Sequence, residues 1–440
     1  MENAYCGSPL CVPSRMSMLA GLLPSRTGIY TNHNGLPEEQ PTFVHSLAGA
    51  GYQTTLSGRM HFNGTNQRHG FLDRLIGDIT PVHPQGRGME IGEYGSATGQ
   101  NRTSLRVSGP GNSSVLEYDR AVTEATLPYI ENYQSEQPLF LTVGFYGPHC
   151  PFICPPELFE YYNERVEVPA FPENFRETVH PFIQQWLKNR GIEDPDPEEV
   201  RRCVVAYYGL VETVDARFGS IINAWKNNPR LQDSLIVYIS DHGEMAGEKG
   251  MFWKSSFYEG SVKVPCIVHQ PGTIPENRVV QEPVSLLDLG PTFIQMANAA
   301  PLPETDGEDL TPLWRGERKE QSGRPIISLL GDMKGDSAGA MIRLHSWKLV
   351  AYYGYEHPQL FNLEEDPEEF NDLGQHPDFA ETREDLLKRL EAYWDPEAAV
   401  AQVKRIRHTM EFWKHWKEKV VLDSPERWVA LPEHNFIQKS

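Results

Sequence analysis

The sequence predicts an α/β fold: a mainly parallel sheet flanked by helices, with a smaller C-terminal α+β part built on an antiparallel sheet. Three observations predict it. Over the first two thirds of the 440 residues, apolar strand-like runs alternate with segments of helical period, the pattern of parallel strands joined by crossover helices. Two of those runs, Leu139–Phe145 and Leu235–Ile239, are almost continuously apolar, which suits strands buried on both faces. After about residue 315 the helical segments give way to runs that alternate apolar and polar, as strands with one wet face do.

The elements follow in order. Residues 41–50 read as a short helix and 52–57 as a strand. The glycine-rich stretch from Pro84 to Ser114 reads as a loop or lid, and 118–132 as a helix by spacing. A strand at 139–145, a long helix at 197–227 and a strand at 235–239 come next, then a strand from Val264 to His269 and a helix over 285–298. Arg324–Leu330 and Ala338–Tyr353 alternate like antiparallel strands. A tail from Glu391 begins helical and carries Trp394, Trp413, Trp416 and Trp428, so it is expected to dock on its own domain or on a second copy, because aromatics favour interfaces. The expected organisation is a catalytic unit over 1–315, an antiparallel-sheet unit over 316–390 and a helical tail over 391–440.

Composition narrows the function. The hydrophobic share of 39% supports a core, but no apolar run is long enough to span a bilayer. A formal net charge of −20 argues against nucleic acid as a partner. It leaves room for a small anion held by a local cluster of cations. The six cysteines, Cys6, Cys11, Cys150, Cys154, Cys203 and Cys266, show no paired zinc-ligand spacing. They point to a reduced, cytoplasmic protein. Sequons at Asn63, Asn101 and Asn112 matter only in a secreted protein.

The chemistry gathers where strands end and helices begin, which is where open α/β sheets bind ligands. Cys11-Val12-Pro13-Ser14-Arg15 opens a helical segment, with Pro13 suited to its first turn. Free backbone N–H groups there favour an anion. Ser57-Gly58-Arg59-Met60-His61 follows one strand, Tyr146-Gly147-Pro148-His149-Cys150-Pro151-Phe152 another, and Ser240-Asp241-His242-Gly243-Glu244 a third. Met251-Phe252-Trp253-Lys254 adds a cation downstream.

These motifs resemble those of the type I sulfatases, which have an alkaline-phosphatase-like fold. The resemblance runs from Asn3 to about Leu373. It is similar in detail to the choline-sulfatase branch at Asn3-Ala4-Tyr5-Cys6, Gly58-Arg59-Met60-His61-Phe62 and His69-Gly70-Phe71. It implies a sulfuric ester hydrolase whose Cys11 is oxidised to formylglycine by a formylglycine-generating enzyme. Cys11, Arg15, His61, His149 and Lys254 would be catalytic and Arg59 substrate-binding, standing where the family usually has lysine. Residue 11, Asp241 and His242 would hold a divalent metal. Calcium is most usual, and the imidazole also suits Mn²⁺ or Mg²⁺. The hydrated aldehyde would attack sulfur, His149 would protonate the leaving alcohol, and His61 would orient the hydrate. Arg15, Lys254 and Arg59 would stabilise the sulfuryl oxygens.

Two departures from the family pattern bear on function. Choline sulfatases carry a tryptophan-rich segment where Pro84 to Ser114 has no Trp. Quaternary ammonium groups are held in aromatic cages, which argues against choline O-sulfate; the expected substrate is a small-molecule or saccharide sulfate ester. The family also places a strand ending in paired aspartates before the cysteine motif. Here ten residues precede Cys11 and no Asp-Asp pair occurs. The expectation is a sulfatase lacking that first strand, and possible homo-oligomerisation through the tail. Two alternatives remain open: a phosphonate or phosphodiester monoester hydrolase of the same superfamily, and an inactive truncated homologue.

Overall fold

A computed structural model describes residues 1–80, 89, 91–320, 323–334, 336–420 and 426–438. The strand Gln53–Gly58 pairs in parallel with Asp73–Ile76 on one side and Leu139–Gly144 on the other. Ile236–Ile239 pairs antiparallel with Cys266–His269. The helix Ser114–Glu131 and the 31-residue helix Pro197–Asn227 cover one face. Asp196 caps the longer helix by accepting from the Glu198 N–H, and Pro197 fills its first turn. Phe43–Gly49 and Leu289–Met296 cover the other face, where Phe43, Phe140 and Phe293 meet edge to face. Pro265 divides the expected strand at 264–269 into Lys263–Val264 and Cys266–His269.

The C-terminal sheet is antiparallel throughout, in the order Ile326–Asp332, Ser337–Leu344, Trp347–Tyr352 and Gln359–Asn362. The expected continuous run 338–353 is a hairpin, turned at His345 with a φ of 56°. The helices Ala380–Leu390 and Pro396–Lys417 pack on this sheet through Leu386, Leu390, Ala399, Val400 and Val403. A buried ion cluster joins it to the rest of the fold. Lys348, with no exposed surface, lies 2.8 Å from Glu259 and 2.7 Å from Glu369, and Tyr5 donates to Glu259 at 2.7 Å.

Two expectations are corrected. The apolar strands 139–144 and 236–239 are half-buried, not buried on both faces. Among the described residues each has a neighbour on one edge only. Between the open edges runs a cavity of about 1200 Å³, walled by Phe43, Leu47 and Phe293 on one side and Val214, Phe218 and Ile221 on the other. The stretch read as a loop holds two short helices, Glu93–Ser96 and Arg102–Arg106, and the strand Gly109–Asn112. Residues 84–88 and 90 of that stretch lie outside the described residues. No described helix is long and apolar enough to cross a membrane.

Candidate active site

Cys11 begins the helix Cys11–Ala20, and no side chain caps that helix at Leu10. Its first amides therefore need other acceptors. Val12 N–H donates to Asn32 Oδ1 at 2.9 Å, and the Ser14 hydroxyl ties the first turn to the carbonyl of Asp241. That bond fixes the helix start against the strand end at Ser240.

Around Cys11 the structure gathers the seven other residues singled out from the sequence. His242 Nε2 lies 3.1 Å from the sulfur. His149, whose ring centroid lies 6.5 Å from that of His242, and His61 interact with the same group electrostatically. Arg15 Nε donates to Asp241 Oδ2 at 2.8 Å and its Nη1 to the carbonyl of Arg59 at 3.2 Å. Arg59 Nη2 lies 2.9 Å from His61 Nδ1, and its guanidinium stacks 4.1 Å above the Tyr146 ring. Lys254, buried, hydrogen-bonds His149 Nε2. The carbonyl of Arg59 passes so close to Gly144 that a Cβ there would meet it at 1.9 Å. Only glycine lets the two motif-bearing strand ends approach this closely.

The electrostatics follow from burial and the local cations. Burial raises the Cys11 thiol, but Lys254 and His242 outweigh it and hold the group well below its ordinary value. Burial and the neighbouring Lys254 cation push His149 down to about 4. Burial and Arg59 lower His61. His242 moves the other way: burial opposes its charge, and the Asp241 carboxylate overrides burial. Burial also opposes ionisation of Asp241, and Arg15 restores it.

Cys11 Sγ, a carboxylate oxygen of Asp241 and a ring nitrogen of His242 all lie within 4.8 Å of one another. His242 Nδ1 is bonded to the carbonyl of Gly243 at 2.8 Å, which turns Nε2 towards residue 11. One anionic oxygen, one imidazole nitrogen and one atom of residue 11 fit part of the coordination of a divalent cation. Arg59 Nη1, buried and without a hydrogen bond, fits an additional oxyanion.

Three supporting carboxylates escaped the sequence reading. Asp78 accepts the amides of Met60 at 3.2 Å and His61 at 2.8 Å. Asp119 accepts those of Tyr146 and Gly147. Glu244 accepts from Ala246 and from Trp253, which pins the loop before Lys254. Asp119 left a signal: with Val115, Val122 and Thr126 it shares the buried stripe of its helix, where an acid is out of place. Asp78 and Glu244 left none beyond their place just after a strand. The Asn63 sequon is closed by the fold, because Asn63 is buried and its amide donates to the carbonyl of Asn32 at 2.9 Å.

Comparison with known proteins agrees with this geometry. The family model "Sulfatase" matches residues 1–299, and that of "N-sulphoglucosamine sulphohydrolase, C-terminal" matches 247–395. A choline-sulfatase of Rhizobium meliloti is 34% identical over 433 residues, covering 92% of this chain and 81% of its own length. Arylsulfatase K of Gallus gallus is 29% identical, covering 89% and 75%. Among solved structures, a 2-O GAG sulfatase superposes with a TM-score of 0.71 at 21% identity, over 93% of this chain and 85% of its own. The phosphonate monoester hydrolase of Agrobacterium radiobacter reaches 0.72 at 22%, over 89% and 87%. At that identity the last two establish the fold alone. The matched family model and the 34% identical relative establish that this chain belongs to the sulfatase family and is a sulfuric ester hydrolase.

Proposed function

We propose that the chain cleaves a sulfate monoester of a small alcohol or saccharide, with residue 11 acting as formylglycine. The observation that carries this reading is the buried cluster at Cys11: His242 Nε2 lies 3.1 Å from its sulfur, Asp241 joins both in one potential ligand group, and Lys254 hydrogen-bonds the neighbouring His149. That sulfur stands in for an oxygen of the modified residue. Formylglycine supplies a hydrated carbonyl as nucleophile. A divalent cation, calcium by family habit with Mn²⁺ or Mg²⁺ as options, would be held by residue 11, Asp241 and His242, and supplies Lewis-acid charge neutralisation.

The chain's own residues do the rest. Arg15 holds the Asp241 carboxylate in its ionised form and in one orientation. Lys254 and Arg59 present buried positive charge to the sulfuryl oxygens, where low polarity strengthens it. His61, kept neutral by burial and by Arg59, orients residue 11. His149 Nδ1 is bonded to the carbonyl of Cys150 at 2.8 Å. Its Nε2 therefore accepts from Lys254, and the proton for the leaving alcohol is drawn from the Lys254–His149 pair.

The remaining coordination of the cation is assigned to carboxylates on an extended segment seated between the strands 139–144 and 236–239. The two open edges and the cavity that ends beside Cys11, Arg15 and Asp241 support that assignment. Six unpaired, buried cysteines favour a reducing compartment. The test is co-production with a formylglycine-generating enzyme. Peptide mass spectrometry should show conversion at residue 11, and matched aryl sulfates and phosphonate monoesters should be turned over in favour of the sulfate. An unmodified thiol beside a converted control sulfatase would overturn the nucleophile. Preference for the phosphonate would select the second reading.

A further inference from the structure

The C-terminal segment 426–438 returns across the molecule to the loop behind Arg59 and His61. Trp428 N–H donates to the carbonyl of Asp78 at 3.1 Å, and Arg427 Nε to that of Ile79 at 3.2 Å. The carbonyl of Glu426 lies where a Cβ on Gly77 would be, at 1.4 Å, so the two backbones touch. Trp428 packs edge-on against Tyr118, whose hydroxyl donates to the carbonyl of Gly77 at 3.0 Å. The end of the segment is anchored elsewhere. Phe436–Ile437 pairs antiparallel with Gly111–Asn112, and Asn435 Oδ1 accepts the amide of Ser114 at 2.9 Å.

The loop held in this way carries a single carboxylate towards the site. Asp78 is 1% exposed. Its Oδ2 accepts the amides of Met60 and His61, and its Oδ1 accepts the amide and hydroxyl of Thr80 at 2.9 and 2.6 Å. Arg59 Nη1 lies 3.8 Å from Oδ1. His61 has a φ of 59°, a left-handed conformation that a residue with a side chain keeps only when its surroundings impose it. The bond from its own amide to Asp78 is the local restraint.

We propose that segment 426–438 is a strap that positions the active site: it fixes the Gly77–Thr80 turn, and Asp78 in that turn fixes Arg59 and His61. The inference rests on the roles given above to Arg59 and His61. It assigns the tail a task within its own chain, acting at a distance from the reacting atoms through Asp78.

The experiment compares the full chain, co-produced with a formylglycine-generating enzyme, with Asp78→Asn, Trp428→Ala and a chain stopped before Glu426. The first readout is amide exchange of the peptide covering Met60 and His61. It should quicken by about tenfold or more in the stopped chain and in Asp78→Asn, while the helix Pro197–Asn227 exchanges as before. The second is turnover: kcat should fall about tenfold to a hundredfold with KM nearly unchanged, since a displacement of about 1 Å can cost that much. A synthetic peptide of residues 421–440 should restore the stopped chain in part. Unchanged exchange at Met60 and His61, or a uniform loss of protection across the whole protein, would overturn the inference. His61→Ala keeps the two readings apart. If it leaves kcat intact, the role of His61 fails; if it lowers kcat while Asp78→Asn does not, the strap fails alone.

Discussion

Asp119 couples the stability of this protein to pH through the turn that carries His149. It lies inside the helix Ser114–Glu131, 1% exposed, and its two oxygens accept the amides of Tyr146 at 2.7 Å and Gly147 at 2.8 Å. Burial pushes its carboxyl up to about 6 from an ordinary 3.8, although those amides and Arg217 pull it down. The folded value is the higher one, so the folded state binds more protons between the two. The stabilising contribution is therefore fully present below about pH 4 and is lost as pH rises through about 6. A span of about two units at ~1.4 kcal/mol each makes ~3 kcal/mol. Asp119→Asn removes this titration and leaves one buried amide without an acceptor, a pH-independent cost of about 1–3 kcal/mol. Urea unfolding of both proteins between pH 4 and 7 should show the parent's advantage falling by ~3 kcal/mol as pH rises, from about 1–3 kcal/mol near pH 4 to zero or in the variant's favour near pH 7. A gap that stays constant over that window would refute the burial argument. Turnover should fall with the substitution as well, because the Gly147-Pro148-His149 turn loses an anchor.

Further outcomes follow from the same geometry. Lys254→Ala should lower kcat on an aryl sulfate by about 10²–10³, as loss of one buried charge-stabilising donor does; a change under threefold would remove it from the site. Asp241→Ala should abolish stoichiometric divalent metal, read by elemental analysis after dialysis, and metal content equal to that of the parent would show that other ligands suffice. Lys348→Met should destabilise the fold by about 3–5 kcal/mol, because Glu259 and Glu369 are left buried without their shared cation. Urea midpoints report it, and a cost below 1 kcal/mol would mean that the carboxylates simply take up protons.

Legibility in the sequence tracked how local the cause was. The helix Pro197–Asn227 was readable to the residue because its stripe is long and Asp196-Pro197 marks its start. The strands 53–58, 139–144 and 236–239 were readable from apolar runs and from the motifs after them. The eight site residues were named from short motifs, yet nothing in the chain revealed that Lys254 would meet His149 from 105 positions away. The short elements between Glu93 and Asn112 were missed because glycine and polar residues hide period. Contact with the strap and with Ile153–Cys154 holds that region in place, not its own propensity. Asp78 was invisible for the same reason: its partners are mostly backbone amides, which no sequence pattern marks.

The half-exposure of the two most apolar strands bears directly on how the site is built. Strands 139–144 and 236–239 deliver His149 and Asp241-His242 from opposite banks of the cavity, and among the described residues no hydrogen-bonded ladder joins them. The distance between the banks is therefore set by side chains and loops. Arg15 reaches Asp241 on one bank and the carbonyl of Arg59 on the other. Lys254 reaches His149, and residue 11 lies 3.1 Å from His242. The Arg15–Asp241 and Lys254–His149 contacts each end on a titratable group, so their strength depends on its protonation state. An extended segment seated in the cavity would replace them with a pH-independent ladder on both edges. It would also cover the half-buried apolar side chains of the strands 139–144 and 236–239 themselves. A site spanned by a ladder keeps its banks fixed while residue 11, Lys254 and His149 change charge during turnover. A site spanned by ion pairs moves with them.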